Sequence, residues 1–394
     1  MKRRLRNPLP KDNFFKFKLK HHINLFLVLG ALLLFIVLDN TIGLNRSAKN
    51  LLVQMSYYTI MAVSLNIVVG LLGELSLGHA GFMCIGAYIG GFLGNKLNEV
   101  VPVKPLVLVI CMLAGGIAAA LASVIIGIPT LRLKGDYLAI TTLAFGEIVR
   151  VIFRNQKIFG GAKGLPTKSY NSDVFYIIAL ITLFFVVLLS QNLQKSKHGR
   201  AIQAIRDSEI SAKAMGVNVT YYKLAAFVIA AFFAGIAGVL FANSVTLVED
   251  ASFDFNKSID ILVMVVLGGM GNLTGSIISG FCLTFLDVKL TVWLPANLAA
   301  CKKLIYAVIL IAVVIWNNAP ALRGVRERFS LQRLWLRMRE RLPQSKRAES
   351  EPPTTANWDK IPTKISMDTI LSTDFTPDSN DDSASQNNDK PEAK

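Results

Sequence analysis

The sequence predicts an all-α fold: a polytopic membrane protein with about ten transmembrane or re-entrant helices. Three observations carry this expectation. Hydrophobic residues make up 53% of the 394 and charged residues only 17%, where soluble domains carry about 25%. Mean hydropathy is +0.47. Apolar stretches near the roughly 20 residues needed to cross a bilayer recur along the chain. The net charge of +16 hides a division: residues 349–394 carry 10 acidic and 4 basic side chains, leaving a net +22 on residues 1–348. A basic, apolar body with an acidic tail argues against a soluble enzyme, a disulfide-rich secreted domain and a coiled coil. It also argues against nucleic acid as a partner, because the positive charge flanks apolar spans instead of forming a basic face.

Residues 1–22 form a basic arm, with eight Lys or Arg in the first twenty positions. The apolar run 23–38 follows, and Asp39 and Asn40 come next where a signal peptide would show a small-residue cleavage site. It is therefore read as a retained anchor with its N-terminus in the cytoplasm. Further spans are expected at 51–72, 75–94, 105–128, 137–153, 174–193, 224–244, 258–270, 275–292 and 303–317. Of these, 75–94, 258–270 and 275–292 are short or glycine-interrupted and could be re-entrant.

Ten spans from an inside N-terminus return the C-terminus to the inside. The loop carrying Lys195, Lys197, Arg200, Arg206, Lys213 and Lys223 then faces the cytoplasm, as does the Arg-rich stretch 323–347. Both satisfy the positive-inside rule. The loop 154–173, with Arg154, Lys157, Lys163 and Lys168, dissents: it is basic yet falls outside. The domain reading is thus a transmembrane body over 23–320, containing a cytoplasmic loop at 194–223. A basic amphipathic segment at 321–348, with Leu331, Leu334, Trp335 and Leu342 among its arginines, suits a membrane interface. Residues 349–394 have the composition of a disordered tail.

Polar groups inside apolar sequence persist only where protein or a wet cavity surrounds them. The run 73–81 sets Glu74, Ser76 and His79 among Gly73, Gly78 and Gly81. Gly86, Gly90 and Gly94 follow at the four-residue spacing that lets helices approach closely. A tight turn before a packing face and a broken helix beside a substrate path fit this run equally. A second break, with Gly268, Gly269, Gly271, Asn272 and Gly275, lies in the other half of the chain. Paired glycine breaks in two halves point to a transport pathway. Ser76, Gly78, His79, Gly268, Gly269, Gly271 and Asn272 are accordingly the candidate path residues.

Glu147 and Arg150, three apart, share a helix face and can neutralise each other; this pairing is preferred to a substrate contact. In the loop 194–223, aliphatics alternate with charges as in two short helices meeting at Asp207 and Ser208. Ser208 would cap the second helix, and Gly216 fits the residue just past its end. Such a loop suits a docking surface and a solvated positive-inside segment equally. Cys84, Cys111, Cys282 and Cys301 lie in or beside apolar runs with no CxxC pair, and read as packing residues. His21, His22, His79 and His198 have no metal-binding spacing, so no metal site is expected.

Six segments in order carry a family resemblance: GLLGELSLGHAGF at 70–82, LRLKGDYLAI at 131–140, LAFGEIVR at 143–150, GGAKGLP at 160–166, the loop 199–224, and VVLGGMG at 265–271. Over about 50–290 the chain resembles the permease subunits of ABC importers for branched-chain amino acids. The resemblance implies a bacterial inner-membrane permease that pairs with a second, related permease. It also implies two ATPase subunits on the cytoplasmic face and an extracytoplasmic binding protein that delivers Leu, Ile or Val. No enzyme activity and no cofactor are expected in this chain, since ATP would be used by the partner subunits and GxxxxGK[ST] occurs nowhere.

By position, Arg200, Arg206, Asp207, Glu209, Ala212, Gly216 and Lys223 are implied to be the ATPase-coupling residues. The general importer pattern is degenerate here: Ile210 and Ser211 follow Glu209, and Gly216 stands one position late. Two rival readings stand beside this one. The first is the same type of importer for urea or short amides. The second is an ion-coupled secondary carrier with Asp136, Glu147 and His79 as its relay. A membrane enzyme is disfavoured, because no nucleophile–base pair or metal spacing appears in the spans.

Overall fold

The computed structural model describes residues 45–130, 133, 135–167 and 174–293, with isolated positions at 28, 30, 307, 308 and 311. The expected spans 23–38 and 303–317 lie outside the described residues except at those positions. The arm 1–22, the segment 321–348 and the tail 349–394 lie outside them altogether.

Ten α-helices occur among the described residues. They are α1 (Arg46–Asn66), α2 (His79–Val100), α3 (Lys104–Thr130), α4 (Asp136–Asn155), α5 (Phe175–Lys195), α6 (Lys197–Asp207), α7 (Glu209–Ala214), α8 (Val219–Ser244), α9 (Phe255–Gly268) and α10 (Leu273–Trp293). Eight expected spans coincide with helices of this body. Among the described residues, five helices are long and apolar enough to cross a membrane: α1 with its extension to Leu72, α3, α5, α8 and α10. The segment expected at 75–94 is continuous from His79, so its glycines pack against neighbours and do not break it. The helix expected at 258–270 is indeed short: α9 has 14 residues. At 1.5 Å per residue it covers about 21 Å, less than a hydrocarbon core of about 30 Å. Besides the helices, one two-residue ribbon occurs among the described residues, where β1 (Leu165–Pro166) and β2 (Leu247–Val248) pair antiparallel.

The chain trace gives the body two distinguishable ends. At the ribbon end, β1 and β2 join the start of α5 to the end of α8, and Thr167 N donates to Thr246 O. At the hairpin end, α6 and α7 join the end of α5 to the start of α8. The described part of the basic loop, 154–167, therefore sits across the body from the basic residues of α6 and α7. Phe159 anchors it, packing edge-on to Phe153 and Tyr88, which stack at 4.8 Å. Arg154 lies 3.9 Å from Asp250 beside the ribbon.

Glycine sets the core spacing. Gly86 on α2 and Gly235 on α8 meet so closely that a Cβ on either would overlap backbone, and Gly115 of α3 joins the same contact. Small residues at such crossings replace side-chain packing with direct helix contact. The apolar window of α1 is 94% buried, against 33% for α3, so α1 is the central element and α3 a peripheral one. On α3, Leu113, Ile117, Leu121, Ile125 and Ile128 form an exposed apolar stripe. In a bilayer such a stripe meets lipid or a neighbouring subunit.

Candidate functional site

The hairpin of α6 and α7 is built by local chemistry. Ser196 Oγ accepts from Gly199 N at 3.0 Å and starts α6. Ser208 Oγ accepts from Ser211 N at 3.3 Å and starts α7, as an N-cap hydroxyl does. Gly216, at φ 84°, follows the end of α7 in a conformation that favours glycine. The inner face of the hairpin buries Ile202, Ile205 and Ala212. Its outer face presents Arg200, Lys213, Ile210 and Met215, the last two 84% and 85% exposed.

Two polar contacts pin this hairpin to the body, and a third joins the two glycine breaks beside it. Lys223, in the first turns of α8, is buried, and its Nζ lies 2.5 Å from Glu74 Oε1 and 3.4 Å from Glu209 Oε2. One ammonium thus joins a carboxylate of the hairpin to a carboxylate of the 73–78 segment. Arg206 Nη1 donates to Gly70 O at 2.8 Å, while its other nitrogens face Asp207 Oδ1 at 3.3 Å. Asn66 Oδ1 accepts from Gly271 N at 2.9 Å, and Gly70 packs directly on the Gly271 backbone. The two glycine breaks, far apart in sequence, therefore touch each other at the hairpin end.

The geometry of the first break explains how it holds. Beyond Asn66 the helix widens into a π-segment, Ile67–Leu72, and ends at Gly73, with φ 82°. Such widened turns occur mostly as short insertions, frequently at functional sites. Residues 73–78 are non-helical, and they climb from Arg206, which packs on Gly73, to Ser258, whose Oγ accepts from Ala80 N at 3.2 Å. Thr142 Oγ1 satisfies Leu77 N at 3.1 Å. Gly78 lies against the Thr142 carbonyl, and Gly81 against Gly146. His79 Nε2 and Ser64 Oγ share a hydrogen bond of 2.7 Å, with both residues buried. Ser76 is also buried, and its hydroxyl has no hydrogen-bond partner among the described residues.

In the second break, Gly268 packs against Gly275 at the turn between α9 and α10. Gly269 and Gly271 take φ of 89° and 82°. Asn272 Oδ1 accepts from Gly275 N at 3.3 Å at the start of α10.

Of the sequence-derived path residues, Gly271 is the one in direct contact with the first break. Gly78 and His79 lie deeper along the 73–78 segment, against α4 and α1 respectively. Of the coupling residues, Arg200 and Gly216 are exposed, Arg206 and Glu209 straddle the hairpin–body boundary, and Ala212 and Lys223 are buried. The relay residues of the rival carrier do not gather: Asp136 is exposed at the start of α4, and Glu147 pairs with Arg150 at 2.9 Å. His79 is held by Ser64. Sequence reasoning missed Glu74 and Asn66 as site residues. Their signal was present, since each is a single strongly polar group beside or within a long apolar run, as is Lys223.

Residues 47–314 match the family model described as "Branched-chain amino acid transport system / permease component". The chain is 35% identical over 261 residues to the high-affinity branched-chain amino acid transport system permease protein LivM of Salmonella typhimurium, covering 58% of this chain and 60% of the relative. It is 37% identical over 248 residues to LivM of Escherichia coli K12, covering 55% and 57%. More distantly, it is 22% identical over 248 residues to the permease protein LivH of Salmonella typhimurium, covering 58% and 80%. The chain thus spans less than two-thirds of the length of either LivM protein. No solved structure matches it. The family match takes in the whole helical body, the hairpin and both glycine breaks, and the chain belongs to the branched-chain amino acid transport permease family.

Proposed function

We propose that this chain is the membrane-spanning permease subunit of an ATP-driven importer that carries leucine, isoleucine and valine into the cytoplasm. The observation that carries this reading is the family match over 47–314, supported by identity of 35% and 37% to two LivM proteins. The likeness to LivH supports a second, related permease as partner. Two ATPase subunits and an extracytoplasmic binding protein complete the assembly. The chain itself uses no cofactor. Its hairpin end faces the cytoplasm, about ten transmembrane or re-entrant helices form its body in the inner membrane, and both termini lie inside.

In this reading the hairpin is the ATPase socket. Closure of the ATPases displaces α6 and α7 together, because Ile202, Ile205 and Ala212 fix them to the body side. Lys223 and Arg206 pass that displacement to residues 70–74. The contact of Asn66 and Gly70 with Gly271 passes it on to the second break. Outward- and inward-open states then differ in how the two breaks meet, near a path passing Ser76, Gly78, His79 and the segment 268–272.

Reconstitution with the cognate subunits tests the reading. Labelled leucine uptake is expected to require ATP and to persist when the proton gradient is collapsed. Glu209→Ala combined with Gly216→Trp is expected to abolish both uptake and stimulated ATP hydrolysis. Intact coupling in that double variant would refute the socket assignment.

A further inference from the structure

On the ribbon side of α9 lies a cavity of about 620 Å³, away from the hairpin joint. Cavities of about 300–1,000 Å³ take small molecules when a few polar groups converge on an apolar wall. Two helices supply those groups here at matching spacing. Lys257 and Asp260 lie three apart on α9, and Thr284 and Asp287 lie three apart on α10, so each pair shares a face. Lys257 Nζ is 4.4 Å from the centroid of the Tyr58 ring, which holds the ammonium at the wall. Carbon completes the lining: Val263 and Met264 farther along α9, and Phe241 of α8.

One group in this wall is incomplete. Thr284 is 2% exposed, and its hydroxyl makes no hydrogen bond among the described residues. Buried hydroxyls are nearly always paired, so an orphan on a cavity wall marks a place where a bound molecule supplies the partner. Asp254 is differently placed. Its Oδ1 accepts from Lys257 N at 3.0 Å as the cap of α9, and its Oδ2 accepts from Asn256 at 2.8 Å.

We infer that this cavity is a subsite for an aliphatic α-amino acid in its zwitterionic form. The arrangement offers a cation for the carboxylate in Lys257, carboxylates for the α-ammonium in Asp260 and Asp287, and a carbon wall for a branched side chain. Thr284 completes its hydrogen bond with the head group. Asp260 and Asp287 have other partners already. A carboxylate has about four lone-pair directions, so an ammonium adds to those contacts without displacing them. A decarboxylated amine leaves Lys257 without its anion, and a fatty acid leaves the aspartates without their cation. Sites built around polar groups discriminate strongly against analogues that leave those groups unpaired. The inference rests on the import function proposed above and adds where the cargo is held within this chain.

The test uses the assembled importer in lipid nanodiscs without its binding protein, with radiolabelled leucine as the probe. Saturable leucine binding is expected, and neither isoamylamine nor 4-methylpentanoate should displace it at about tenfold excess. Lys257→Met is expected to weaken binding on the order of tenfold or more, and Thr284→Val by a smaller factor. Met264→Trp, which fills the apolar end, should abolish binding while the variant still co-elutes with its partner subunits. A wild-type assembly that imports leucine yet binds none overturns the subsite and leaves the import function standing. Binding that survives in both Lys257→Met and Met264→Trp overturns the subsite in the same way. A wild-type assembly that imports none of the three amino acids overturns the import function, and this inference with it.

Discussion

Lys223 is a single ammonium between two carboxylates in a region dominated by hydrocarbon. Removing one partner of a buried charge cluster strands the other, which typically costs about 3–5 kcal/mol. Lys223→Met should therefore lower the thermal unfolding midpoint of the purified permease markedly. Adding Glu74→Gln should recover much of that loss, since a neutral pair replaces an uncompensated carboxylate. A midpoint unmoved by Lys223→Met would show that the cluster carries no stability. Ser64→Ala is a gentler perturbation: it removes the buried partner of His79 and should cost about 1–3 kcal/mol in the same assay. At this scale the sequence was half legible. Glu147 and Arg150 revealed their pairing through spacing alone, because both lie on one helix. Glu74 and Lys223 did not, because their contact joins segments that only the tertiary fold brings together.

The helices were the most legible features. Apolar length predicted eight of them, and Ser208 and Gly216 marked the start and end of α7 by residue type and spacing alone. What resisted reading was the backbone form of the end of α1. The π-segment at 67–72 keeps the apolar composition of a helix, so its widening leaves no compositional trace. The non-helical segment 73–78 survives inside the body only because Thr142, Ser258 and nearby backbone receive it. The cap of α7 is directly testable: Ser208→Ala should cost about 0.5–2 kcal/mol locally. Faster amide exchange confined to residues 209–215 would report it, whereas unchanged exchange would mean the hairpin is held by its inner face alone. The turn between α9 and α10 offers a harsher test. Gly268→Val forces a side chain into the Gly275 backbone and should prevent the pair from closing, seen as loss of folded protein on gel filtration.

For the whole molecule, the two basic surfaces lie at opposite ends of the body. The basic residues of α6 and α7 lie at the hairpin end, and Arg154, Lys157 and Lys163 lie at the ribbon end. Because two basic loops lie across the body from each other, either orientation leaves one of them on the side that the positive-inside rule disfavours. Impermeant thiol reagents check the orientation in a background stripped of native cysteines. Lys213→Cys should label only from the cytoplasmic side, and Lys157→Cys only from the outside. Labelling of both from one side would refute the arrangement. The sequence held the alternation of spans but not their mutual contacts, and so it could nominate two glycine breaks without revealing that they meet.

That meeting has a consequence for biogenesis. Asn66 and Gly271 are joined by a hydrogen bond across 205 residues, and chains are synthesised from the N-terminus at about 5–20 residues per second. At those speeds, α1 waits roughly ten seconds or longer in the bilayer with its terminal amide group and the Gly70 surface uncovered. Only when the turn before α10 emerges is the seam sealed. A chain stopped just short of Gly271 would carry nearly all its apolar segments and still expose an unfinished polar seam to lipid. Such truncated chains should be degraded much faster in pulse–chase experiments than chains extended through residue 293.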